Sequence, residues 1–270
     1  MSGRKRTLEA ISFEFVMTVI AMIALIIIIA PSLVVLIVSF TSGFSLRFPP
    51  PGYSWRWYAE LWNAWQLHFA AKNSLIVALW ATGLSIVLGV AAALAISRSR
   101  TLSAKLLDSL FMSPLVLPAL AFGLAALMLF SLVGLPVSPL TLVIGHTVVC
   151  VPYVVRNTVA ALAQLEPTLL ESSAVLGASR LYTFRRVVLP LIRPGIIAGA
   201  FIAFMSSFDN VPVSLFLRDA ATDMLPIRMW QDLEGKLDVS IAAVSSLMVL
   251  STLILMIVME RLTGISKRIR

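Results

Sequence analysis

Residues 171–190, ESSAVLGASRLYTFRRVVLP, are the longest charged interruption in an otherwise apolar chain, and they hold two short helix patterns joined by a glycine. In the first pattern Pro167 suits the opening helical position, where its missing N–H costs nothing. Leu165, Leu169, Ser172 and Leu176 then recur on one face. Gly177 is placed to close that helix in the left-handed conformation, and Ser179 is a good N-cap for the next. The second pattern puts Leu181, Phe184 and Val188 on one side, with Arg180, Arg185 and Arg186 around it. Pro190 is expected to stop it, because proline disfavours helical geometry in the residue before it.

The flanks of this hairpin set the class of the protein. With 59% hydrophobic and 13% charged residues in 270 positions, there is too little polar surface to coat a soluble globule, so the chain is an integral membrane protein. A span needs about 20 apolar residues to cross a hydrocarbon core of about 30 Å. Six stretches qualify: 15–40, 73–97, 109–133, 140–162, 194–217 and 239–259. No formal charge separates Ser109 from Val155, and Gly134, Pro136 and Pro139 supply the turn between the third and fourth.

The net charge of +8 invites a nucleic-acid reading, but the basic residues sort by loop. Arg4, Lys5, Arg6, Arg98, Arg100, Lys105, Arg156, Arg180, Arg185, Arg186, Arg193, Arg261, Lys267, Arg268 and Arg270 fall on one side. Arg47, Arg56, Lys72, Arg218, Arg228 and Lys236 fall on the other. By the positive-inside rule both termini and the hairpin are cytoplasmic, and nucleic acid is excluded as a partner. The organisation expected is a cytoplasmic tail at 1–14, a single transmembrane domain at 15–262 containing the hairpin loop at 164–193, and a basic cytoplasmic tail at 263–270. The apolar run after Arg6 is far longer than a secretory signal's core, so it reads as an uncleaved first span.

Within the spans, Cys150 is the only cysteine and reads as a small packing residue. His146, one turn before it, reads as a hydrogen-bonded intramembrane histidine, since two ligands do not make a metal site. Gly83, Gly89, Pro114, Pro118, Pro152 and Pro212 perturb helices, which is tolerated where neighbours satisfy the freed backbone groups. Between the first two spans, Trp57 or Tyr58, Leu61 or Trp62, Trp65 and Phe69 recur at helical spacing and predict one amphipathic helix in an outer aromatic belt. The loop from Arg218 to Asp238 is mixed in sign and reads as solvated surface, with a docking surface for an external protein as the functional alternative.

The hairpin also carries a resemblance. Glu171, Gly177, Val187, Leu189 and Pro190 stand at the spacings of the signature Glu-Ala-Ala, three residues, Gly, nine residues, Ile, one residue, Leu-Pro, with Ser172 and Ser173 in place of the alanines. This is similar to the loop of permease subunits in binding-protein-dependent ABC importers, over about residues 70–262. The resemblance implies an all-α fold of six transmembrane helices with both termini inside, of the type I ABC importer permease class, with the hairpin as cytoplasmic coupling helix. It implies a separate ATP-binding cassette subunit docked on Glu171, Gly177, Ser179, Leu181, Phe184, Arg185, Arg186 and Pro190. That subunit would bind ATP and magnesium, consistent with the lack of any G-x-x-x-x-G-K-[ST] here. A second permease chain, an extracytoplasmic substrate-binding protein and the lipid of a bacterial inner membrane complete the implied partners. FSLRF at 44–48, WRWYAELW from Trp55, KNSL from Lys72, SSFDN at 206–210 and LPIRMW at 225–230 resemble spermidine/putrescine-type permeases of the second, shorter kind. Permeases for opines, other amines and amino-acid-like solutes look similar.

The substrate path is expected on the fifth span. At about 1.5 Å per residue from Pro194, Asp209 lies on the order of 22 Å along it, with Ser206, Asn210 and Val213 on the same face. A carboxylate at that depth is costly unless it meets a cation, hydrogen bonds or water, so Asp209 is the expected counter-charge for a cationic amine. The alternative is a structural bond to a neighbouring span or the sister permease. A self-contained secondary transporter or channel would call for intramembrane coupling charges and often an inverted repeat, and an intramembrane enzyme for a nucleophile and base or a metal cluster. No clear repeat or such cluster stands out in the sequence.

Overall fold

A computed structural model describes residues 8–97, 101–219, 222–236 and 239–264. Arg4, Lys5, Arg6, Arg98, Arg100, Asp238, Lys267, Arg268 and Arg270, which entered the charge reading, lie outside the described residues. Regular structure is helical throughout those described: α1 (Leu8–Val38), α2 (Arg56–Trp62), α3 (Trp65–Ser97), α4 (Leu102–Val116), α5 (Ala119–Leu132) and α6 (Pro139–Leu162) come first. There follow α7 (Pro167–Val175), α8 (Arg180–Thr183), a π-helical turn (Phe184–Val188), α9 (Leu189–Phe208), α10 (Val211–Leu217), α11 (Leu225–Lys236) and α12 (Ser240–Thr263). Among the described residues, five helices are long and apolar enough to cross a membrane, and a sixth span results if the bent pair α4 and α5 counts as one.

Several expected boundaries move. The third span, expected over 109–133 with Pro114 and Pro118 as helix-perturbing residues, is the pair α4 and α5, bent by 107°. Leu117 is extended (ψ 141°) and Pro118 caps α5, the conformation that proline imposes on the residue before it. The second span begins at Trp65 rather than 73, so Trp65 and Phe69 belong to α3 and the predicted amphipathic helix is only α2, closed at Asn63. The fifth span runs from Arg180 to Phe208 and does not reach 217.

The chain forms two compact units. The first holds residues 1–63 and 232–251. In it the side chains of α1 from Phe13 to Ile29 are nearly all exposed, as suits a helix whose surroundings are lipid or another chain. The aromatic stretch after α1 is built as a folded cap. Trp57 is buried and its indole N–H donates to the Thr41 carbonyl at 2.9 Å. The hydroxyl of Tyr58 lies 2.7 Å from both Ser39 and Ser246, and the Arg56 guanidinium stacks over Phe44 while pairing with Glu60.

The second unit holds residues 64–231 and 252–270, and its core is α3, α6 and α9. A small-residue stripe on α3 (Ala70, Ser74, Ala78, Ala81, Ser85, Gly89) is buried, which lets backbones approach closely where lipid offers no hydrophobic drive. Val154 of α6 fills the space this creates. A Cβ on Gly89 would lie 2.8 Å from the Val154 Cβ, and one on Gly199 of α9 would lie 2.9 Å from its Cα. At one end of the unit, Ser74 accepts the Leu225 N–H at 2.9 Å and Asn73 donates to the Asp223 carbonyl at 3.0 Å. Asp223 in turn pairs with Arg218 at 3.0 Å, so the loop expected as loosely solvated surface is pinned to α3 and then becomes α11.

Candidate functional site

Two places bring the predicted site residues together, both in the second unit. The first is the hairpin. Its α7 ends as the sequence predicts: Gly177 has φ +77°, its N–H bonds to the Ala174 carbonyl at 3.0 Å, and the Ala178 N–H reaches the Ser173 carbonyl at 3.1 Å. These two bonds are the paired closure of a helix C-terminus that a left-handed residue allows. Ser179 then caps α8 by accepting the Tyr182 N–H, and a Ser173–Thr183 hydroxyl bond of 2.7 Å ties the arms together.

Pro190 does not stop the second arm. The chain continues from α8 through a π-helical turn into α9, with the Leu189 N–H bonded to the Phe184 carbonyl five residues back. A widened turn is how a helix takes in a proline ring that would otherwise press on the carbonyl four residues before it. The hairpin is therefore built into the start of the fifth span.

The expected apolar faces are also redistributed. Val188 is 6% exposed, and with Phe184 it lines a cavity between the hairpin and the ends of α3 and α6. Phe184 is half-buried there. Leu181 is 62% exposed and Leu176 85%, and Tyr182 is exposed as well. From α7 the residue buried is Ser173, so Leu169 and Ser172 stand on the free side with Glu171. Arg185 and Arg186 are exposed.

The second place is the break between α9 and α10. The single-face geometry expected for Ser206, Asp209, Asn210 and Val213 does not form, because the helix ends at Phe208. Asp209 is its C-cap (φ −103°, ψ 22°), and the Asn210 side chain caps α10 by accepting the Val213 N–H at 2.9 Å. Pro212 near the start of α10 explains the new start, since it has no N–H to continue α9. Asn210 is committed to its cap, Ser206 is half-buried and Val213 is buried, whereas Asp209 is exposed with no cation paired to it among the described residues.

The group that holds this break is the intramembrane histidine read from the sequence, in a role the sequence did not show. His146 of α6 is fully buried, with Nδ1 2.8 Å from the Ser207 hydroxyl on α9 and Nε2 3.1 Å from the Ser214 hydroxyl on α10. The hydrogen-bonded histidine was legible, but its partners were not, since Ser207 and Ser214 reach one ring only because the helix breaks between them. Cys150 is buried as expected, its thiol 3.2 Å from the Ala203 carbonyl.

Comparison with known proteins agrees with this picture. The sequence profile described as binding-protein-dependent transport system inner membrane component matches residues 85–268. The spermidine/putrescine transport system permease protein PotC of Haemophilus influenzae is 28% identical over 212 residues, covering 78% of this chain and 82% of that one. The putrescine transport system permease protein PotI of Escherichia coli K12 is 30% identical over 225 residues, covering 81% and 80%. Among solved structures, a chain of a bacterial ABC transporter involved in the import of the acidic polysaccharide alginate superposes with a TM-score of 0.70 at 15% identity, covering 97% and 99%. A chain of the MetNI methionine ABC transporter in an inward-facing conformation superposes with a TM-score of 0.62 at 17% identity, covering 74% and 96%.

Proposed function

The chain belongs to the family of binding-protein-dependent transport system inner membrane components, and from that premise we propose that it forms, with a second permease chain, the path of an ATP-driven importer for a polyamine. It is a multi-pass membrane permease; the finer reading concerns orientation, partners and solute. In that reading both termini and the hairpin lie in the cytoplasm. An ATP-binding cassette subunit receives Leu176, Leu181 and Tyr182 in an apolar cleft and pairs with Glu171, while Gly177 and Ser179 fix the angle between the arms. Arg185 and Arg186 offer further charge to that partner. A binding protein outside delivers the solute.

The polyamine reading is supported by the homology to PotC and PotI, and one observation carries it: the exposed, unpaired carboxylate of Asp209 at the C-terminus of α9. A helix C-terminus already favours cations through its unsatisfied carbonyls, and a carboxylate beside it strengthens that preference. An ammonium group passing this point exchanges part of its hydration for these oxygens. The test is ATP-dependent uptake of putrescine and spermidine by the complete importer in proteoliposomes. Asp209→Asn keeps shape and removes charge, so the complex is expected to assemble and to lose most uptake. Unchanged uptake in the assembled variant, or a cognate binding protein that ignores both amines, overturns the polyamine reading.

A further inference from the structure

The cavity behind the coupling hairpin has a volume of about 590 Å³, within the range of about 300–1,000 Å³ typical of ligand pockets. Its walls are apolar along Leu94, Leu162, Leu170 and Phe184, and the small side chain of Ala174 leaves the room. Arg180 lines it too, exposed on its outer side, and no carboxylate among the described residues pairs with it. Leu94 lies in the last turn of α3, Leu162 ends α6, and Phe184 opens the π turn into α9. Three spans therefore end around this hole, which puts it where hydrocarbon gives way to headgroups.

The chemistry of the lining selects the occupant. A small soluble anion gains nothing from the apolar walls, and a neutral lipid leaves the guanidinium without a counter-charge. A long acyl chain under a phosphodiester satisfies both, because a guanidinium can grip two phosphate oxygens at once. Basic pockets between spans on the cytoplasmic side of a membrane suit anionic headgroups. We propose that this cavity holds an acyl chain of an anionic phospholipid, with Arg180 binding its phosphate. The proposal rests on the cytoplasmic placement of the hairpin given above. Seated there, the chain braces α7 against the ends of α3 and α6, so lipid composition tunes how firmly the hairpin is held.

The test exchanges the purified full importer complex into micelles containing equal phosphatidylglycerol and phosphatidylcholine, and counts retained lipid by native mass spectrometry. The wild type is expected to retain phosphatidylglycerol in preference. Arg180→Gln should weaken that preference about fivefold, the effect of one basic side chain at an anionic surface. Ala174→Phe, which fills the hole while leaving the charge, should lower retention of both lipids. Equal retention of the two lipids by the wild type, or a folded Ala174→Phe complex with undiminished retention, overturns the proposal. Cross-linking from position 174 to the ATPase in place of lipid does the same. The measurement needs neither nucleotide nor transported solute, so failure of the polyamine reading leaves its outcome intact.

Discussion

His146 Nδ1 lies 2.8 Å from the hydroxyl of Ser207, in the fully buried interior of the second unit. Through Nε2 the same ring reaches Ser214, so α6 holds both sides of the break at Asp209 and Asn210. A neutral imidazole donates through one nitrogen and accepts through the other, and each serine hydroxyl turns to suit. His146→Leu removes both bonds at once. A double-mutant cycle with Ser207→Ala, read by thermal unfolding in detergent, should give a coupling of about 0.6 kcal/mol and at most about 1.7, the range for such bonds in membranes. Additive losses would mean that the contact contributes only packing.

Gly89 and Val154 make a second prediction. A Cβ at position 89 would stand 2.8 Å from the Cβ of Val154 and 3.3 Å from the Val155 backbone nitrogen. Gly89→Ala should therefore cost about 1–3 kcal/mol by forcing α3 away from α6. Val154→Ala in the same chain should recover part of that loss. Gly83 meets nothing within 4 Å, and the matched Gly83→Ala change should leave stability nearly unaltered.

The side of the membrane is predicted from the charge pattern. A reporter fused after Arg270 should register in the cytoplasm, and one inserted beside Asp223 should register outside. Reversed signals would move the hairpin to the outer face and remove its access to an ATPase.

Much of this was legible in the sequence. The left-handed Gly177 and the Ser179 cap were readable because each is a local event decided by one residue's conformation or side chain. The segments KNSL and LPIRMW are far apart in the sequence, and the structure joins them, since the Ser74 hydroxyl accepts the Leu225 N–H. Pro118 and Pro212 were legible as helix-perturbing, but the form that each proline's effect takes was not. Leu117–Pro118 bends a span, Pro212 restarts one, and Pro190 is absorbed by a π turn. Proline's local penalty is the same in all three, and whether the helix ends, bends or widens depends on which neighbours receive the displaced backbone groups. That information is tertiary. The burial of Val188 in the π turn is tertiary as well.

A hairpin that transmits work between an ATPase and the spans must hold its two arms at a fixed angle, and Gly177 sets that angle. Its φ of +77° is a conformation that a β-branched side chain resists, at a cost of roughly 1–2 kcal/mol per residue. A Cβ there meets nothing within 4 Å, so Gly177→Val changes the angle between the arms without a clash in the body of the chain. The decisive measurement is substrate-stimulated ATP hydrolysis by the reconstituted importer carrying Gly177→Val, taken together with uptake. The expected result is a permease that inserts normally while stimulated hydrolysis and uptake fall in parallel; full stimulation with an intact, assembled complex would rule out the coupling role.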